Sequence, residues 1–82
     1  MKQVVLHRAA LRTLLRIPKN EAVRIRDKIS QYAVDPRSLK ANVKKLQGRE
    51  GYRLRVGNWR VIFDENGDVL DIFDIDSRGS IY

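Results

Sequence analysis

The chain has 82 residues, 17 of them Lys or Arg against 10 Asp or Glu, no cysteine, and a net charge of +7. That length has room for one core, so a single domain over residues 1–82 is expected, and without cysteine neither a disulfide framework nor a thiolate metal site is possible. A basic surplus of this size points to an anionic partner, nucleic acid first.

The elements follow in chain order. Residues 2–6 suit a strand, and their apolar run Val4-Val5-Leu6 is too short for a secretory leader or a membrane span, so a cytoplasmic protein with no membrane partner is expected. Residues 7–17 place Ala10, Leu14 and Ile17 at helical spacing with Leu11 and Leu15 beside them, and Pro18 ends that helix. Asn20 is the expected N-cap of a second helix, whose stripe runs Ala22, Ile25, Ile29 and Tyr32 or Ala33 until Asp35-Pro36 stops it. Two amphipathic helices joined by a short loop form an αα-hairpin that needs a sheet to cover. Residues 39–47 are polar with spaced Leu39, Val43 and Leu46, and read as a loop or a short helical turn.

From Tyr52 the period changes to two. Tyr52, Leu54 and Val56 alternate with Arg53 and Arg55, and Trp59, Val61 and Phe63 alternate with Arg60 and Ile62. Gly57-Asn58 fits a two-residue hairpin turn, Asn66-Gly67 signals a second, and residues 69–75 make a last strand suited to an interior position. The predicted fold is therefore α+β: an N-terminal strand, an αα-hairpin and a three-stranded antiparallel meander, with both helices on one face of a small twisted sheet.

Charge is unevenly placed along this fold. Residues 1–49 hold 13 Lys or Arg against 3 acids, and residues 50–82 hold 4 Arg against 7 acids. The late arginines, Arg53, Arg55, Arg60 and Arg78, thus stand in an acidic half. A Gly57-Asn58 turn sets Val56 opposite Trp59, Arg55 opposite Arg60, Leu54 opposite Val61 and Arg53 opposite Ile62. The apolar side chains then share one face, and three arginines gather on the other. Like charges across a sheet destabilise it, so either acids or an anionic ligand must neutralise them. Guanidinium, planar, forked and always charged, suits phosphate. A two-residue second turn would set Asp71 beside Ile62 on the arginine face, and one bulge would change that assignment.

The stretch KKLQGREGYRLRVGNWRVIFDENGDVLDIFDIDSRGSIY resembles the second half of RelE/ParE-family toxins. They share its leucine-x-glycine lead-in, a tyrosine followed by alternating basic residues, the Gly-Asn-aromatic-Arg hairpin and a terminal Arg-x-x-x-Tyr. The helical first half matches in order and length, and the fold implied is RelE/ParE-like and microbial-ribonuclease-like. The ribonuclease branch, favoured here, implies the toxin of a type II toxin–antitoxin system that cleaves messenger RNA in the ribosomal A site. In that chemistry the ribose 2′-hydroxyl attacks its own 3′-phosphate without a metal or other cofactor, and translation and growth stop.

By resemblance, Arg53 and Arg55 stand where well-known members have two lysines, and Arg60 matches the hairpin arginine that contacts the scissile phosphate. Arg78 and Tyr82 match the terminal motif, whose tyrosine stacks on or deprotonates the substrate nucleotide. Lys44, Lys45 and Arg49 form a second basic surface for RNA backbone. The departures are that arginine does not readily act as base or acid, that Asp76 stands where ribonuclease members tend to have a basic residue or glycine, and that Ser77 stands where many have histidine. Tyr82 is then the best candidate base, and Asp76 is expected to repel RNA or to pair with Arg78. The family's other branch implies a non-enzymatic inhibitor of DNA gyrase, and a degenerate member would bind only its antitoxin. All three imply a cognate antitoxin that also carries the toxin to operator DNA.

The remaining motifs are weaker. His7, the only histidine, reads as a helix-start or surface residue. Tyr52 falls on the apolar face and reads as core. The six acids between Asp64 and Asp76 lack calcium-loop spacing, so no metal site is expected, and they read as a solvated acidic edge that discourages edge pairing.

Overall fold

The structure, a computed structural model, describes residues 1–77. Strand β1 (Gln3–Leu6) leads into helix α1 (Arg8–Arg16) and then helix α2 (Lys19–Val34). A short 3-10 segment, Pro36–Asn42, precedes β2 (Val43–Lys45), β3 (Tyr52–Val56), β4 (Trp59–Asn66) and β5 (Val69–Ser77). The α+β order is as expected, but the sheet has five strands in the order β1-β5-β4-β3-β2.

Both helices cover one face of that sheet. Ala10 and Leu14 of α1 and Ala22, Ile25, Ile29, Tyr32 and Ala33 of α2 form one core with Leu54, Val56, Val61, Phe63, Leu70, Ile72 and Ile75. The helical stripes are those read from the spacing, whereas Leu11 and Leu15 stay exposed. Tyr52 is half-buried against this core and stacks on Phe63 with ring centroids 5.6 Å apart. Burial, and then the Glu65 carboxylate, push the Tyr32 phenol well above its ordinary pKa.

Three expectations are corrected. The N-cap of α2 is Pro18, with Asn20 already inside the first turn. Proline has no N–H to satisfy and its fixed φ suits a helix entrance, so α2 starts one residue after it. The polar stretch 39–47 is a short helical turn only up to Asn42, within the 3-10 segment: Val43, Lys44 and Lys45 pair with Leu54, Arg53 and Tyr52 as an antiparallel edge strand. Three residues are too few for a periodic signal, and only pairing with β3 makes them a strand. The acids of the last strand do not form an edge, because β1 pairs parallel with β5 from Gln3↔Val69 to Leu6↔Ile72.

The first hairpin has the register read from the sequence, Val56↔Trp59 through Tyr52↔Phe63. Gly57 takes φ +59 and, among the described residues, no other residue type has positive φ, so the turn places its strained position on the glycine. The second turn is shifted by one from expectation. Asn66 pairs with Val69, leaving Gly67 and Asp68 as the loop, with φ +62 at Gly67. A loop of Asn66-Gly67 in the usual conformation would need positive φ at Asn66 as well, and placing glycine first avoids that cost.

Candidate nucleic-acid interface on the open face of the sheet

The face opposite the helices is built by the alternation of β3 and β4. Since Leu54, Val56, Val61 and Phe63 point into the core, Arg53, Arg55, Arg60 and Ile62 must point away from it. Arg55 lies directly across from Arg60, and Lys44 of the unexpected strand β2 lies across from Arg53. These four cations line one hollow of about 230 Å³ together with Ala41, Asn42, Gly57 and Trp59. Among the described residues, no acid lines it, and Lys44, Arg53 and Arg55 form no ion pair.

The hairpin carrying these arginines is anchored from behind. Trp59 Nε1 donates to Glu21 Oε2 of α2 at 3.0 Å, and the Arg24 guanidinium of α2 lies over Gly57. The open face is thus held at a fixed angle by contacts from its own core side. Groups held in place on a scaffold bind an anion without first losing freedom.

A second hollow of about 310 Å³ adjoins the first and shares Arg53 and Arg60 with it. Its other lining residues are Leu46, Arg49, Ile62, Asp74 and Asp76. Those aspartates reach this face through a bulge. Phe63 pairs with Ile72, but Ile62 pairs with Asp74 and Arg60 with Asp76, so Phe73 is an extra residue in β5. In an unbroken ladder Asp74 would oppose Val61 in the core. The bulge instead returns Ile75 to the core and sends Asp74 and Asp76 to the arginines.

Asp76 is half-buried, and its Oδ1 is buried with no hydrogen-bond partner among the described residues. Burial, and next the charge of Asp74, push the Asp76 carboxyl above the usual carboxylate range, while Arg60 opposes that shift. Asp71 does not sit beside Ile62: it pairs with Asp64, four positions along β4 from Arg60. There His7 Nε2 contacts Asp71 Oδ1 at 3.0 Å and Asn66 Nδ2 donates to Asp71 Oδ2 at 3.0 Å. His7 first, then Asn66, hold the Asp71 carboxyl below its usual range. His7 itself caps the start of α1 and lies against the Phe73 ring, so the surface reading of this residue holds.

The sequence-derived candidates are therefore only partly brought together. Arg53, Arg55 and Arg60 converge, and Lys44 joins them in place of serving a separate surface. Arg49 lines the adjoining hollow, while Lys45, across from Tyr52, falls on the other side of β2. Arg78 and Tyr82 lie outside the described residues, and with them the expected Asp76–Arg78 pairing. Sequence reading missed the placement of Lys44 and Asp76. One available signal was the spacing of three between Ile72 and Ile75, which breaks an otherwise alternating strand.

Known proteins share this architecture. The family described as ParE toxin of type II toxin–antitoxin system, parDE, matches residues 4–82. A chain of the archaeal RelE–RelB complex from Pyrococcus horikoshii OT3 superposes with a TM-score of 0.79 at 27% identity, covering 95% of this chain and 96% of that one. A chain of the RelB–RelE antitoxin–toxin complex from Methanococcus jannaschii gives 0.75 at 26% identity, covering 95% and 94%. The toxin RelE3 of Methanocaldococcus jannaschii is 42% identical over 45 residues, 54% of this chain, and the match spans about half (51%) of that relative. With the fold, the arginine hairpin and a family match over nearly its whole length in agreement, the chain belongs to the RelE/ParE family of type II toxin–antitoxin toxins.

Proposed function

We propose that this toxin is an endoribonuclease that cuts messenger RNA in the ribosomal A site and so halts translation and growth. The observation that carries the reading is the hollow lined by Lys44, Arg53, Arg55 and Arg60 and, among the described residues, by no acid. Four cations around a space the size of a nucleotide's phosphate and sugar focus a positive field on it, and forked guanidinium groups bind phosphate oxygens in pairs. In the reaction the 2′-oxygen attacks phosphorus, a 2′,3′-cyclic phosphate forms and the 5′-oxygen leaves. Arg53, Arg55 and Arg60 hold the charge that gathers on the phosphoryl oxygens. Arg78 extends that clamp and Tyr82 stacks on the nucleotide. Lys45 and Arg49 contact ribosomal RNA backbone, an attraction that weakens as salt rises. The ribosome supplies the in-line geometry.

The partner in the cell is a cognate antitoxin, as the RelE–RelB and RelB–RelE complexes among the structural relatives suggest. An acidic segment of it would cover the arginine face, silence the toxin in the cytoplasm and carry it to operator DNA. A second reading, inhibition of DNA gyrase, is favoured by two observations: the three hairpin arginines cannot exchange protons, and the family that matches is described as ParE.

Primer extension on a defined messenger RNA, with and without programmed ribosomes, separates the two. Cuts within A-site codons only in the presence of ribosomes are expected. Intact RNA under both conditions, from a toxin that still arrests growth and blocks supercoiling by gyrase, would transfer the assignment to the second reading.

A further inference from the structure

The arginine clamp stabilises charge but moves no proton, so the cleavage needs a base and an acid from elsewhere. We propose that Asp76 and Lys44, on opposite flanks of the arginine cluster, are that base and acid, a deepening that rests on the ribonuclease reading above. Asp76 opposes Arg60 from β5, and Lys44 opposes Arg53 from β2, so the two bracket β3 and β4 on the open face. Arg53 and Arg60 line both hollows, one of which also holds Lys44 and the other Asp76.

The spacing suits an in-line displacement. Three strand intervals separate β2 from β5, and Lys44, in the Arg53–Ile62–Asp74 row, is offset by two residues along the sheet from Asp76, in the Arg55–Arg60 row, which puts their backbones about 16 Å apart. A phosphorus with apical 2′- and 5′-oxygens and a hydrogen bond at each end spans roughly 9 Å. Inward lean of the lysine stem and the reach of the aspartate close the difference. Asp76 lines the hollow shared by Arg53 and Arg60, and its Oδ1 has no partner among the described residues; that oxygen is buried, so the carboxylate must turn outward to present it to the 2′-hydroxyl. Its chemistry suits the task, because burial and Asp74 make it more basic than an ordinary carboxylate. Among the described residues, the charged groups that face it are Asp74 on its own strand, Arg60 on β4, Arg53 on β3 and Arg49 from the loop after β2.

The step balances without a co-reactant. The 2′-hydroxyl proton goes to the Asp76 carboxylate as the 2′-oxygen bonds to phosphorus. The bond from phosphorus to the 5′-oxygen breaks, and that oxygen takes a proton from the Lys44 ammonium. Water then returns the two side chains to their starting forms. The bulge at Phe73 acquires a role in this arrangement, since without it Asp76 would not oppose Arg60.

The test is single-turnover cleavage on programmed ribosomes across pH, with wild type, Asp76→Asn, Lys44→Gln and Tyr82→Phe. Asp76→Asn should cut about 100-fold slower or worse, should lose the fall in rate at acid pH, and should bind programmed ribosomes at least as tightly as wild type. Unimpaired thermal melting of that isosteric variant separates this from misfolding. Lys44→Gln should be slow on normal RNA and regain rate on RNA with sulfur at the scissile 5′-bridging position, a leaving group that needs no proton. Asp76→Asn should gain nothing from that substrate. Wild-type cleavage together with an Asp76→Asn variant of equal rate, or loss of the acid limb in Tyr82→Phe alone, would overturn the role of Asp76. Lys44→Gln at wild-type rate would overturn that of Lys44. A wild type that cuts nothing would overturn the ribonuclease reading itself, and this proposal with it.

Discussion

The two hairpins of this sheet share strand β4 and close with the same kind of glycine-first turn, yet they do opposite things with charge. The β3–β4 hairpin is a regular ladder that sets Arg55 against Arg60. The β4–β5 hairpin is broken by a bulge, and beyond it Asp74 and Asp76 face Ile62 and Arg60. Directly opposed like charges cost about 0.2–1 kcal/mol, a cost that a third strand bearing acids partly offsets. The comparison shows a cationic site assembled by one hairpin and balanced at its border by the next. At the far end of the second hairpin, Asp71 is held by His7 and Asn66, away from the arginines.

The largest test of this contrast is catalytic. Arg60→Ala should reduce ribosome-dependent cleavage by roughly 100- to 1,000-fold, the usual effect of removing one preorganised charge stabiliser, with thermal unfolding still cooperative. Asp71→Ala, in the other hairpin, should cut within about twofold of wild type, since it touches none of the groove residues. Primer extension reads both. Equal losses would mean that the whole sheet, not the arginine face, sets the activity.

The turns sharpen the comparison at smaller scale. Gly57 and Gly67 both sit at positive φ, so alanine at either should cost about 1 kcal/mol. A Cβ at Gly57 would also approach the Arg24 guanidinium at 3.0 Å, whereas at Gly67 it meets nothing within 4 Å. The Arg24 head is the flexible end of a long side chain and can swing away, so denaturant midpoints of the two variants should differ only slightly, with Gly57→Ala the lower. A much larger gap would show that Arg24 holds the first turn in place.

The smallest expected effects concern pH, and the two hairpins should show opposite signs. The Asp71 carboxyl titrates below its ordinary value in the folded chain. Its contribution is therefore present at neutral pH and fades as pH falls below about 4, the unfolded-state value, and on through the folded one. Asp76 titrates above its ordinary value, so its charged form opposes folding at neutral pH and that cost disappears as pH falls through the raised value. Urea melts at pH 7 should find Asp71→Asn weaker and Asp76→Asn stronger than wild type, with both differences shrinking by pH 3. A weaker Asp76→Asn at pH 7 would mean that its attraction to Arg60 outweighs the burial.

Much of this was legible residue by residue. Strict alternation from Tyr52 to Phe63 around Gly57-Asn58 yields one register only, because a one-residue slip would turn Leu54 and Val61 to solvent. The arginine face follows from that register. The stripe Ala22, Ile25, Ile29 and Tyr32 likewise predicts the buried side of α2. Lys44 was not legible as part of the groove, since Val43–Lys45 is a strand only by virtue of its partner β3. Asp76 was legible as an acid out of place, but its position opposite Arg60 was not.

The sequence by itself thus determined what local periodicity and local turn chemistry can determine: two amphipathic helices, a regular arginine hairpin and a basic first half joined to an acidic second half. Tertiary structure alone decided that β1 would close the sheet against β5, that a three-residue edge would bring Lys44 to Arg53, and that Phe73 would bulge. The physical reason is range. A side chain's face within a hairpin is set by neighbours two residues away, whereas parallel pairing across more than 60 residues, and the bulge that keeps Ile72 and Ile75 in one core, are settled only by how the core packs.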